Sequence, residues 1–168
     1  MLKKNIWNFI FILTIFIIDR VSKILIINSA EAFGELDIFV TSFLNFNLIW
    51  NDGIAFGLFS FEKQIYYNFL TSLIVLITLI ILWMISRTEK IEKLAFIMIF
   101  SGSIGNIFDR LYYSSVPDFI DIHFNNFHWF IFNVADIFIT LGVILLIYLE
   151  IFSKKKKYEK TFFIISFI

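Results

Sequence analysis

The chain turns on residues 117–136, Pro117-Asp118-Phe119-Ile120-Asp121-Ile122-His123-Phe124-Asn125-Asn126-Phe127-His128-Trp129-Phe130-Ile131-Phe132-Asn133-Val134-Ala135-Asp136. Asp118 and Asp136 stand near its two ends in strongly apolar company. An ionisable side chain in or against a bilayer is costly and marks a functional site by default, with a partner to be named. Here the obvious partner of each aspartate is the other.

Working outward, 60% of the 168 residues are hydrophobic, well above the roughly 45–50% of a soluble domain. Four apolar runs, about 6–27, 66–85, 91–110 and 129–152, each approach the roughly 20 residues that cross a hydrocarbon core. The expected fold is a single all-α membrane domain spanning residues 1–168. It has four transmembrane helices, with a small external β-cradle from about residue 34 to 62 between the first and second.

Net charge is zero, which gives no general attraction to nucleic acid, but the cations are segregated. Lys3 and Lys4, then Arg87, Lys90 and Lys93, then Lys154 to Lys157 with Lys160 are all cytoplasmic under the positive-inside rule. Both termini are therefore expected inside, with Lys154–Lys160 touching anionic phospholipid. The first helix follows a basic start like a signal peptide. It is nevertheless long, lacks a small-residue cleavage site and carries Asp19, Arg20 and Lys23, so it reads as a retained helix. The chain has no Cys and only two His, His123 and His128. Disulfides and thiolate chemistry are excluded, and no metal centre or other cofactor is expected.

This topology sorts the polar residues by leaflet. Asp19 and Lys23, four apart, share the outer half of helix one and can neutralise each other. Phe39–Trp50 is rich in β-branched and aromatic residues and ends in a turn signal at Asn51-Asp52-Gly53. Gly53 and Gly57, flanking Phe56, allow close backbone approach to a ligand. In helix three, Gly102, Asn106 and Arg110 recur at intervals of four on one face, with Asp109 beside them. Helix four is expected to start near Trp129, which puts Asn133 and Asp136 in its outer half. Every intramembrane polar cluster thus falls in one leaflet. Thr161–Ile168 is too short to span and suggests no role.

Two carboxylates in low dielectric share a proton, so one serves as base while the other serves as acid. Such a pair can activate water against an amide carbonyl and protonate the departing amine. Nearby asparagines and an arginine can hold substrate or a developing oxyanion. The chemistry indicated is aspartic-type hydrolysis at the outer face.

Five stretches then resemble, in order, the motifs of the bacterial lipoprotein signal peptidase (signal peptidase II) family. These are Asp19 with Lys23, Asn51-Asp52-Gly53-Ile54-Ala55-Phe56-Gly57, Gly102 to Arg110, Asp118-Phe119-Ile120-Asp121 and Phe132-Asn133-Val134-Ala135-Asp136. The resemblance implies a monomeric aspartic endopeptidase of the bacterial inner membrane. Its partners would be prolipoproteins, cut before a diacylglyceryl-modified cysteine. It further implies Asp118 and Asp136 as the catalytic dyad, with Asn51, Gly53, Phe56, Asn106, Arg110 and Asn133 at the substrate. Asp19, Lys23 and Asp109 would support them, and Asp121 would be a neighbouring carboxylate. Pro117 and Ile137 depart from the family pattern beside the two aspartates.

Two other readings compete. A serine peptidase would use Ser103, but helix four offers it no His. A small proton or ion channel would use Asp19, Asp109 and Asp136 as a relay, yet the inner halves of the helices carry almost no proton carriers.

Overall fold

A computed structural model describes residues 2–34, 37–53, 64–125 and 127–165, the side chains of 2–5, 64 and 153–165 excepted. The elements run α1 (Leu2–Phe33), β1 (Asp37–Thr41), β2 (Leu44–Asn51), α2 (Gln64–Arg87), α3 (Lys90–Tyr113), β3 (Val116–Phe124), β4 (Phe127–Phe132) and α4 (Val134–Ile165).

Three of these helices hold stretches long and apolar enough to cross a membrane, Ile65–Arg87, Lys90–Tyr113 and Val134–Phe152. Their outer faces are bare hydrocarbon: Phe69, Leu79 and Trp83 on α2, and Ile144 and Ile147 on α4, are all exposed. So much uncovered apolar surface suits lipid rather than water as the surrounding solvent. α1 differs in composition, because it carries Asp19, Arg20 and Lys23 in its interior turns.

The helices meet through small residues. A Cβ placed on Gly102 of α3 would fall 2.4 Å from the carbonyl oxygen of Ala135 in α4. One on Gly142 would lie 2.7 Å from the Ala95 carbonyl, and one on Gly105 would lie 2.7 Å from the Asp19 carboxylate. Glycine at 102 and 142 lets α3 and α4 approach at backbone distance, the usual device of helix packing in lipid, and glycine at 105 leaves room for the Asp19 carboxylate of α1.

Two expectations are corrected. The small sheet beside the helices is not confined to the segment between the first two of them, and the fourth helix starts later than its apolar run. A four-stranded antiparallel sheet, ordered β1-β2-β3-β4, takes half its strands from residues 116–132. Helix four accordingly begins at Val134, not near Trp129. The Trp129–Phe132 run is apolar enough to continue a helix, but its aromatic and β-branched residues pair instead with β3, with Asp121 opposite Ile131 and His123 opposite His128. The other helices run slightly beyond their apolar runs, α1 most of all.

Local backbone geometry produces these turns. Ser114 ends α3 in the left-handed conformation at φ 58°, and Asn125 at φ 51° turns β3 into β4. Asn tolerates this region because its short polar side chain bonds locally. β3 is one of the two inner strands and is buried over its first half, Val116 to Phe119. Phe119 packs with Ile26 of α1 and Phe46 of β2, which fixes the sheet on the end of the helices.

Candidate active site

Asn133 is the residue on which the site is built. It immediately precedes α4, and its side-chain oxygen accepts the Asp136 backbone N–H at 3.1 Å. In return the Asp136 carboxylate accepts the Asn133 backbone N–H at 3.2 Å. This is a capping box, with Asp in the usual Glu position, and it satisfies two otherwise orphaned donors of the helix start. A third, the Ala135 N–H, is accepted by the Asp19 carboxylate at 3.0 Å. The N-terminal end of a helix favours negative charge, and both carboxylates gain from it.

The fully buried Asn133 amide also donates to Asp118 Oδ1 at 2.6 Å, so one side chain holds both aspartates. Asn51, the last residue of β2, donates from Nδ2 to Asp118 Oδ2 at 2.8 Å. Its own oxygen accepts the Gly53 N–H at 2.8 Å, a local Asx turn that fixes the side chain. On α3, Asn106 donates to Asp136 Oδ1 at 2.8 Å. Three asparagines from three elements therefore orient the two carboxylates.

Asp118 lies in β3, outside the membrane-spanning segments, and is 3% exposed. Burial first, and the negative charge of Asp136 second, push its pKa up from 3.8 to about 6, while the Asn51 and Asn133 amides hold it down. That rise corresponds to about 3 kcal/mol against ionisation. A carboxyl so placed keeps its proton under conditions where an ordinary aspartate has lost it.

Beneath this pair lies a cluster of opposite character. Lys23, fully buried, reaches Asp19 at 3.0 Å, Asp109 at 2.6 Å and the Asn106 oxygen at 2.9 Å. Arg20 grips Asp109 through two nitrogens and donates to Asp19 at 2.8 Å. Two cations thus meet two carboxylates, and Asn106 joins this layer to Asp136 above. Arg110 donates from one nitrogen to the Gly53 carbonyl, while its Nε and Nη1, both buried, have no hydrogen-bond partner among the described residues. Beside Asp136 opens a cavity of about 230 Å³ whose other lining is Trp129, Phe132, Ile137, Thr140 and Leu141.

Measured against the sequence expectations, Asp118, Asp136, Asn51, Gly53, Asn106, Arg110 and Asn133 converge, with Asp19, Lys23 and Asp109 behind them. The asparagine amides point at the carboxylates themselves. Phe56, with Ile54, Ala55 and Gly57, lies outside the described residues. Asp121 is turned to another partner, His128, at 2.8 Å. Two participants escaped the sequence reading of the site. Arg20 was visible beside Asp19, but its grip on Asp109, 89 residues away, was not. The Ala135 backbone donor has no side-chain signature at all.

The chain as a whole is similar to known proteins. Residues 11–152 match the family model described as signal peptidase (SPase) II. A protein named lipoprotein signal peptidase from Pelagibacter ubique is 50% identical, the alignment covering 93% of this chain and 94% of that one. One of the same name from Francisella tularensis subsp. novicida is 38% identical over 93% and 98% of the two chains. A solved bacterial membrane enzyme superposes with a TM-score of 0.73 at 27% identity, covering 89% of this chain and 90% of its own. With the match spanning both aspartates and every residue that holds them, this chain belongs to the signal peptidase II family, a family of aspartic peptidases.

Proposed function

We propose that the chain removes signal peptides from bacterial prolipoproteins, cutting before the diacylglyceryl-modified cysteine, with Asp118 and Asp136 as its catalytic dyad. The observation that carries this reading is the pair of buried carboxylates, each held by asparagine amides and both bonded to Asn133. Burial and the charge of Asp136 raise the Asp118 carboxyl above the ordinary carboxylate range, which supports its carrying the proton of the pair.

In this mechanism the ionised carboxylate takes a proton from water as the water oxygen attacks the scissile carbonyl carbon. The protonated partner hydrogen-bonds the carbonyl oxygen and stabilises the tetrahedral intermediate. The C–N bond then breaks as a proton passes to the departing amine, leaving a carboxyl end on the signal peptide and a free amine on the lipidated cysteine. Asn51, Asn106 and Asn133 keep the carboxylates in register. Arg110, with its Nε and Nη1 to offer, binds a substrate carbonyl, and the cavity beside Asp136 seats an apolar group next to the reacting bond.

The membrane arrangement follows from chain order. α1 is the fourth span, its charges closed into the neutral cluster with Asp109. The α2–α3 connection, with Arg87, Lys90 and Lys93, marks the cytoplasmic end together with both termini. The sheet and the dyad lie at the opposite end, at the outer leaflet of the inner membrane.

The test is cleavage of a diacylglyceryl-modified prolipoprotein by purified protein. Asp118→Asn and Asp136→Asn are each expected to lose about 100- to 10,000-fold in rate while remaining folded. Ser103→Ala should cleave like the parent. Substantial cleavage by either aspartate variant would sink the dyad.

A further inference from the structure

The β3–β4 hairpin carries a second cluster that the hydrolytic site does not use. Asp121, His123 and His128 each offer one ligand atom, and these atoms all lie within 4.8 Å of one another. Strand register creates the cluster: His123 stands directly opposite His128, their rings stacked at 5.1 Å. Asp121, two residues along β3 from His123, projects from the same face of the hairpin.

The Asp121–His128 hydrogen bond explains only part of this arrangement. Asp121 is 2% exposed, yet its Oδ1 is buried without a hydrogen-bond partner among the described residues, and so is His123 Nδ1. Asn45, opposite Asp121 in the β2–β3 register, has its side-chain oxygen buried in the same condition. A buried polar group left unpaired costs about 1–3 kcal/mol. Three such atoms on neighbouring positions of one sheet ask for a common partner, and acceptors on all sides ask for a cation.

We propose that Asp121, His123 and His128 form a binding site for a divalent transition-metal ion of the zinc type. Two imidazoles and a carboxylate suit zinc, copper or nickel better than the all-oxygen cations. Tetrahedral ligation at about 2.0–2.2 Å needs the donor atoms closer together than they stand here, a movement within reach of side-chain rotation at a hairpin end. His128 is exposed, which gives the ion an entry path and leaves a coordination position to water. Sequence counting argued against a metal because the chain has only two histidines; cross-strand pairing puts both beside a buried aspartate.

The site is separate from the dyad. Asp118 is three residues before Asp121, and side chains at odd separation leave a strand on opposite faces. A bound ion would clamp β4 to the strand that carries Asp118 without touching the reacting groups.

The experiment uses the full chain, purified in detergent without a histidine tag and stripped with a chelator. It is titrated with Co²⁺, read by its visible absorption, and with Zn²⁺, read by calorimetry. The expected result is one ion per chain with tetrahedral-type Co²⁺ bands, an affinity weakened at least about 100-fold in His123→Ala/His128→Ala, and a zinc-dependent rise in the unfolding temperature of the parent alone. The metal-free unfolding temperature of that double variant reports that it is folded. Absence of stoichiometric binding by the parent, or binding of unchanged strength by the folded double variant, would overturn the site.

Discussion

Two layers of buried charge lie one above the other, and they are built on opposite principles. In the lower layer Asp19 and Asp109 meet Arg20 and Lys23, so every charge is answered by another. In the upper layer Asp118 and Asp136 are met only by neutral amides and a backbone N–H, and among the described residues neither forms an ion pair. A cation in contact would fix each carboxylate in its ionised form. Amides orient a carboxylate while leaving its proton negotiable, which general acid–base chemistry requires. The closed layer holds α1, α3 and α4 together; the open layer is where a proton can move.

The largest effect should come from opening the closed layer. Lys23→Met leaves Asp109 and Asp19 to Arg20 alone in a buried setting, and breaking such a pair costs about 3–5 kcal/mol. Thermal unfolding in detergent should show that loss, and an unfolding temperature equal to the parent's would mean the cluster is not structural. Gly105→Ala probes the same layer sterically, because its Cβ would meet the Asp19 carboxylate at 2.7 Å. We expect about 1–3 kcal/mol of destabilisation, again by thermal unfolding. In the open layer Asn51→Ala should do the reverse, sparing stability more than it spares proton affinity. The Asn51 amide stabilises ionised Asp118, so its removal must raise the pKa above about 6 and shift the corresponding limb of the pH–rate profile to higher pH. A shift to lower pH would show that the amide does not act on the ionised form.

Much of this contrast was legible in the residues. Asp19 and Lys23 at a spacing of four meet as helix geometry requires. Gly102, Asn106 and Arg110 do share the face of α3 that turns toward α4 and the site. What could not be read was long-range pairing. The Phe127–Phe132 stretch is a strand because β3 is beside it, and β3 is in place because β2 is; no periodicity within residues 127–132 distinguishes them from a helix start. Asn133 therefore shifts from a residue within a helix to the residue that caps it, and that shift makes it the bridge between the two aspartates. The channel reading loses its relay, since Asp19 and Asp109 are closed in ion pairs and the family is one of peptidases.

The central claim is that Asp118 and Asp136 titrate as a pair, and it is tested most directly by following the Asp118 carboxyl itself. Infrared difference titration of the parent and of Asp136→Asn, with the carboxyl band that is lost in Asp118→Asn assigned to Asp118, gives the Asp118 midpoint in each. The parent should titrate at about 6. Removing the second negative charge removes a cause of that rise, so in Asp136→Asn the midpoint must fall toward the ordinary carboxyl range. A midpoint that stays where it was, or moves to higher pH, would contradict the pairing.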